Sequence, residues 1–503
     1  MDHFPALING HDATALVERG KRYTFQQVNA RIERFAAGLL ADGDDLAEER
    51  VALLIPASLD YVTVLHGIWR AGGIAIPLNA ASSAAELEHC LTDAGVTRVI
   101  ADGENHDGLL PGLCERLGIT LLGVTDVLAE TPAPLPQPGP ERRAMIVFTS
   151  GTTSKPKGVV TTHGAIGAQI EMLVKAWAWT KDDVIPLFLP LHHVHGIINV
   201  LSCALWVGAA VHLVPRLDIH ELCEQVAAHT YSVFMAVPTI YVKLIDHLQR
   251  LEPADAKAVC DGFARMRLNV SGSAACPVKV FEQWRALTGQ VLLERYGMTE
   301  VGMALSNPYR GERRAGYVGQ ALPGVTVRLF DEHDHPITEE SVPGEIRMRG
   351  ETVFKEYWGN PQATRESFTD GWFCSGDIAV IEDGYFRIMG RSSVDIIKSG
   401  GYKLSALEIE GVLLTHDDVR EVAVIGIPDE TWGEAVVAVM SLRQGARLAL
   451  DDLKSWCEGR MSAYKIPKKI QILDALPRNA MGKVTKPELA QRLTGQGPKP
   501  PTS

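Results

Sequence analysis

Cysteine is sparse in this sequence. Eight cysteines (Cys90, Cys114, Cys203, Cys223, Cys260, Cys276, Cys374 and Cys457) are scattered through 503 residues. They form no Cys-x-x-Cys pair and no Cys/His cluster at metal-ligand spacing, which excludes a disulfide-stapled domain and a zinc module. A reducing, cytoplasmic compartment fits this usage. Positive charge is also in the minority: 49 Lys plus Arg face 61 Asp plus Glu, a formal net charge of -12. That balance argues against nucleic acid or an acidic membrane surface as the main partner, and leaves room for a small anion received by local cations. Long hydrophobic runs are missing. The most apolar stretch, IINVLSCALWVGAAVHLV (Ile197 to Val214), contains Asn199, Ser202, Gly208 and His212, so it reads as a buried core helix and not as a membrane span. The opening MDHFPALING lacks a basic region followed by an apolar one, so no targeting segment is expected.

What is present is ordinary globular material: 46% apolar and 22% charged residues, in a chain several times the length of a typical domain. Short apolar runs at Val51 to Ile55, Val96 to Ala101, Ile119 to Val124 and Met145 to Phe148 read as strands separated by patterns of helical period. The alternation predicts an α/β fold with a large, multi-lobed N-terminal domain. TPAPLPQPGP (Thr131 to Pro140) reads as an extended connector. From about Gly390 the texture changes to a charged, glycine-containing stretch, a helix candidate at Leu407 to Leu414 and the strand EVAVIGIP. The expected organisation is therefore residues 1–390 followed by a small, mobile α+β domain over 391–503.

Four segments could carry chemistry. In TSGTTSKPKGV (Thr149 to Val159) five hydroxyl residues surround Gly151, with two lysines flanking Pro156. Convergent N–H groups, hydroxyls and ammonium groups suit a phosphate chain, although a polar surface turn has the same composition. The Gly-Lys-Ser/Thr order of a Walker A loop is absent, since Lys157 precedes Gly158. In LLERYGMTE (Leu292 to Glu300) a strand ends at Gly297, beside a tyrosine able to stack on a base and a carboxylate able to hold a hard cation. FCSGD places Asp377 after a tight turn, where a carboxylate can accept from both hydroxyls of a ribose. PRNAMGK puts Lys483 just after a glycine. Taken singly, each also has an ordinary structural reading.

Together and in this order, with YTFQQVN near the start and GRSSVDIIKSGGYKLSALEIE between the last two, these segments resemble the ANL superfamily of adenylate-forming enzymes, in its acyl-CoA synthetase branch. The resemblance implies a two-step reaction in which ATP and Mg²⁺ convert a carboxylic acid to an acyl adenylate, and the thiol of coenzyme A then captures the acyl group. Site residues follow by position. Thr149, Ser150, Gly151, Thr152, Thr153 and Lys157 would hold phosphates. Gly272, Ser273, Tyr296 and Gly297 would surround adenine, and Thr299 would touch phosphate. Glu300 would bind Mg²⁺, Asp377 would hold the ribose, and Arg391 and Lys398 would assist with the nucleotide. Lys483 matches the lysine that neutralises charge at the α-phosphate. The family's small domain rotates about a hinge two residues after the arginine of its Gly-Arg motif; here that position is Ser393, where Asp or Lys is usual. Ser154 stands where the phosphate loop usually has Gly.

The acid is read from Arg295, Lys243 and His195. An arginine beside the adenine-binding tyrosine would be a costly unpaired charge in an apolar acyl tunnel. It suits the second carboxylate of a dicarboxylic acid, which a guanidinium grips bidentately. Alternatively, Arg295 sits in a structural ion pair on the other face of its strand and Lys243 on a helix surface. The sequence resembles malonyl-CoA and methylmalonyl-CoA synthetases most, which implies a role in fatty acid metabolism. A ligase for a short, medium or aryl monocarboxylate and a non-catalytic nucleotide sensor are the other readings. A homodimer is left open, and neither nucleic acid nor integral membrane association is expected.

Overall fold

The computed structural model describes residues 4–41, 43–102, 109–129, 131–149, 156–400, 402–478 and 484–494. Its α/β architecture divides into two compact units. One comprises Met1–Cys276, Val280–Thr326 and Met348–Phe373; the other comprises Pro277–Lys279, Val327–Arg347 and Cys374–Ser503.

The first unit is organised on three sheets. A seven-stranded sheet has the spatial order Glu356–Tyr357, Lys157–Thr162, Arg143–Thr149, Ile74–Pro77, Arg50–Leu54, Arg98–Ala101 and Thr120–Gly123. The four expected apolar runs all lie in it, and they pair in parallel as buried, β-branched strands do. Leu87 and Leu91 of the helix Ala84–Asp93, with Leu110 and Leu113 of the helix Leu109–Leu117, pack into its core. The motif YTFQQVN is a helix start. Thr24 accepts from the N–H of Gln27 while the Gln27 side chain accepts from the N–H of Thr24, so two otherwise orphaned donors are satisfied ahead of the helix Phe25–Leu40.

A five-stranded sheet runs Val233–Ala236, Leu268–Ser271, Leu293–Met298, Gly302–Ser306 and Gln320–Ala321. Its first three strands are parallel. Phe234, Tyr241, Phe263 and Trp284 interlock edge to face behind it, so the carboxyl ends of the three strands stand on a rigid base. A four-stranded sheet joins Lys21–Thr24, Thr14–Glu18, Ala210–Leu213 and Val184–Leu187.

The run Ile197 to Val214 departs from expectation in its second half. It begins within a fully buried π-helix, His195–Ser202, that continues as the α-helix Cys203–Val207. The helix stops at Gly208, whose φ of +89° is cheap only without a Cβ. Ala210–Leu213 is then a strand. Hydropathy alone does not separate these two buried fates. Among the described residues no helix is long and apolar enough to cross a membrane.

In the second unit the strands Tyr402–Ser405, Ile396–Ser399, Gly433–Leu442 and Val419–Asp429 form a sheet with Lys469–Ile472 alongside, and the helices Ala406–Leu413 and Lys486–Thr494 belong to it. Leu404, Ile409, Leu413, Val424, Val436 and Leu453 are among its core residues.

Candidate active site

The residues expected to carry chemistry fall into one set in each unit. In the first unit they gather at the carboxyl ends of parallel strands, where open α/β sheets present ligand sites. Strand Leu293–Met298 turns back sharply into Gly302–Ser306, with Thr299 and Glu300 in the turn. Two glycines make the turn possible. A Cβ on Gly297 would fall 2.0 Å from the carbonyl of Gly302, and one on Gly302 would fall 1.6 Å from Oε1 of Gln169. Glu300 is buried, and its Oε1 accepts from the hydroxyl of Tyr357 at 2.9 Å. The Lys157 ammonium lies over the ring of the same tyrosine, 4.9 Å from its centroid. Tyr357 thus links the two groups expected to meet phosphate and metal, and nothing in the sequence EYW singled it out.

Thr149 and Lys157 face each other in an antiparallel pair. They hold the two ends of the phosphate-loop motif; Ser150, Gly151, Thr152, Thr153 and Ser154 lie outside the described residues. Among the described residues no three metal-ligating side chains cluster. Mg²⁺ bound through nucleotide phosphates needs only one or two carboxylates from protein, and the buried Glu300 meets that requirement.

At the other end of this set, three polar side chains meet. Ser273 follows the strand Leu268–Ser271 in a left-handed conformation, φ +68°. Its hydroxyl shares a hydrogen bond with His195 Nδ1 at 3.1 Å and accepts from Arg295 Nη2 at 3.4 Å. The Arg295 guanidinium lies flat against Gly272, where a Cβ would sit 2.5 Å from Cζ. Arg295 is 3% exposed, and among the described residues its Nε has no hydrogen-bond partner and no carboxylate pairs with it. Burial pulls its pKa down to about 10. His195 is held well below the usual histidine range by burial first and then by the charge of Arg295, so it is a neutral imidazole at physiological pH. Lys243 is exposed on the helix Pro238–Leu248, which turns Tyr241, Leu244 and Ile245 inward; no hydrogen bond or ion pair joins it to this cluster.

Glu294, which the sequence did not mark, supports the cluster. Its Oε1 accepts from the N–H of Cys276 at 2.9 Å, fixing the segment that carries Gly272 and Ser273. The carboxyl is buried, and that burial raises its pKa to about 7.

In the second unit, Asp377 and Arg391 are direct partners across a hairpin, with Arg391 Nε 3.2 Å from Asp377 Oδ1. Asp377 is buried and Arg391 exposed. Lys398 is exposed on Ile396–Ser399, and its N–H donates to Glu434. Lys483 lies outside the described residues.

Both halves of the arrangement have counterparts in known families. Residues 7–358 match the AMP-binding enzyme model, and residues 408–483 match the model for the AMP-binding enzyme C-terminal domain. The chain belongs to the AMP-binding enzymes. It is 43% identical to the mitochondrial malonate–CoA ligase ACSF3 of Bos taurus, over 96% of this chain and 88% of that protein. It is 36% identical to a malonate–CoA ligase of Arabidopsis thaliana, over 98% and 88%. ATP-bound MatB from Rhodopseudomonas palustris superposes with a TM-score of 0.88 at 33% identity, covering 98% of each chain. A malonyl-CoA ligase holding methylmalonyl-CoA and AMP superposes with a TM-score of 0.69 at 36% identity, covering 94% of this chain and 100% of that one. In this AMP-binding enzyme the N-terminal match contains the Thr149–Lys157 pair, the Arg295 cluster and Glu300, while the C-terminal match ends on Lys483.

Proposed function

We propose that this AMP-binding enzyme is an ATP-dependent malonate–CoA ligase. The observation that carries the choice of acid is Arg295, a buried guanidinium with no acidic partner among the described residues. An ion pair would have given it a structural purpose, and an apolar acyl tail would leave it unneutralised. A second carboxylate, one methylene away from the reacting one, meets it with charge and with bidentate geometry. Neutral His195 and Ser273 complete a polar end that an alkyl chain does not need.

A carboxylate is a poor acyl donor because its leaving group is oxide. In the first half-reaction a carboxylate oxygen of malonate bonds to the α-phosphorus of ATP as the bond to the β-phosphate oxygen breaks, releasing pyrophosphate. Thr149, Lys157 and the residues between them hold the phosphates, with Thr299 contacting phosphate. Tyr296, Gly297, Gly272 and Ser273 surround the adenine. Asp377 accepts from the ribose hydroxyls, with Arg391 and Lys398 assisting. Glu300 is the protein ligand for Mg²⁺, which supplies charge neutralisation at the phosphate oxygens when bound. Lys483 balances the negative charge that builds at the α-phosphate. In the second half-reaction the sulfur of coenzyme A bonds to the acyl carbon, the thiol proton passes to solvent, and AMP leaves. Residues 391–503 form the small domain that carries Lys483.

Purified enzyme supplied with ATP, Mg²⁺ and CoA should turn over malonate or methylmalonate in preference to acetate, octanoate and a phenylpropenoate. Preference for octanoate would overturn the dicarboxylate reading. The eight free thiols suit the cytoplasm, whereas the ACSF3 relatives are described as mitochondrial; fractionation of source cells separates the two. Light scattering tests the homodimer.

A further inference from the structure

In the second unit, described contacts join the residues on either side of 479–483, which lie outside the described residues. Arg478 and Val484 form an isolated antiparallel bridge, and the N–H of Thr485 donates to the carbonyl of Pro477 at 2.9 Å. Upstream, the Arg478 guanidinium pairs with Glu421 on the strand Val419–Asp429. Downstream, Lys486 opens the helix Lys486–Thr494 and is only 9% exposed. Its ammonium lies 2.5 Å from Asp395 Oδ1 and 2.7 Å from Glu410 Oε1.

Both carboxylates have second duties. Asp395 Oδ2 accepts from the N–H of Arg391 at 3.0 Å, and Glu410 Oε1 accepts from the N–H of Val424 at 2.7 Å. Gly390, φ +123°, leaves the space: a Cβ there would lie 2.3 Å from that of Asp395. Because Arg391 also pairs with Asp377, contacts run without a break from Lys486 through Asp395 and Arg391 to Asp377. Lysine is rarely buried, and an apolar side chain would anchor a helix without the cost of desolvating three charges. What the ionic anchor adds is direction, since it joins one named turn to one named helix.

We propose that Lys486 is a positioning residue for the adenylation half-reaction: it ties the base of the Lys483 segment to the Arg391–Asp395 turn and so to Asp377. This rests on the roles given above to Lys483 and Asp377. The carboxylates keep Lys486 charged against the effect of burial.

The test measures malonate-dependent ATP–pyrophosphate exchange, thioester formation from presynthesised malonyl adenylate, and thermal unfolding. Misplacing a reacting group by about an ångström costs up to about a hundredfold in rate. Lys486→Met should therefore lower kcat for exchange at least about tenfold, with KM for ATP and malonate and the thioester step within about twofold of wild type. Lys486→Arg should restore most of the exchange. Where Lys486→Met does not fold, Asp395→Asn, which keeps the shape and one acceptor, should show the same split. Unchanged exchange in a folded variant, or equal loss of both half-reactions, overturns the proposal. Lys483→Ala run in parallel separates the causes. If it loses exchange while Lys486→Met keeps it, only the positioning role fails; if it keeps exchange, the reading of Lys483 fails and the positioning role with it.

Discussion

Replacing Arg295 with Met should make the protein more stable and a much poorer malonate ligase. Among the described residues the buried guanidinium has no acid partner, and burial draws its pKa down to about 10. At about 1.4 kcal/mol per tenfold change in proton affinity, keeping it charged costs the empty enzyme about 3 kcal/mol. Met fills similar volume without that cost. It loses only the 3.4 Å contact to Ser273, a long hydrogen bond. The melting temperature of the unliganded variant should therefore rise. Malonate binding loses its counter-charge at the same time. Breaking a buried charge pair by removing one partner costs about 3–5 kcal/mol, so kcat/KM for malonate should fall by about 10² to 10⁴. KM for ATP should stay close to wild type, and acetate should be used about as well as before. The assays are steady-state pyrophosphate release and differential scanning fluorimetry. Equal losses for malonate and acetate, or a large drop in stability, would show that Arg295 serves the structure and not the acid, and refute the argument.

Gly272→Ala places a methyl 2.5 Å from Arg295 Cζ and should raise KM for malonate about tenfold or more while sparing KM for ATP, because displacing a receptor removes binding energy particular to that acid; initial-rate kinetics check this. Tyr357→Phe removes the donor to Glu300 and should raise the Mg²⁺ concentration needed for half-maximal adenylation, following the usual loss of about 10- to 100-fold for outer-shell partners; a metal titration reads it. Glu294 gives a stability test with a defined sign. Its folded pKa of about 7 exceeds that of a free carboxyl, so the folded state holds the proton longer and native stability falls as pH rises from about 4.5 to 7. Glu294→Gln removes that dependence, and its unfolding free energy relative to wild type should improve by up to about 3 kcal/mol between pH 5 and pH 8. A constant difference across that range would show that the carboxyl does not titrate there.

The class of the enzyme was legible in the order of short motifs because each is a local device. A glycine pair lets a strand double back and present Thr299 and Glu300. A Ser-Gly turn delivers Asp377, and Thr24 with Gln27 starts a helix through hydrogen bonds three residues apart. The parallel strands were legible too, since burial on both faces leaves an uninterrupted apolar run. The split of Ile197 to Val214 into helix and strand was not. Both ends are apolar, and Ala210–Leu213 becomes a strand by pairing between Val184–Leu187 and Thr14–Glu18, the latter almost two hundred residues away.

Local chemistry therefore set the expectation of what the chain holds: phosphate, ribose, a hard cation and an organic acid. Tertiary structure alone settled which charges are paired. No spacing in the sequence distinguishes Arg295, buried against Gly272 without a carboxylate, from Arg267, which meets Asp183 at 2.6 Å. Nor does spacing bring Tyr357 to Glu300, Glu294 to Cys276 or Lys486 to Asp395. The worth of a charge depends on the dielectric and the partners around it, and only the folded chain supplies those.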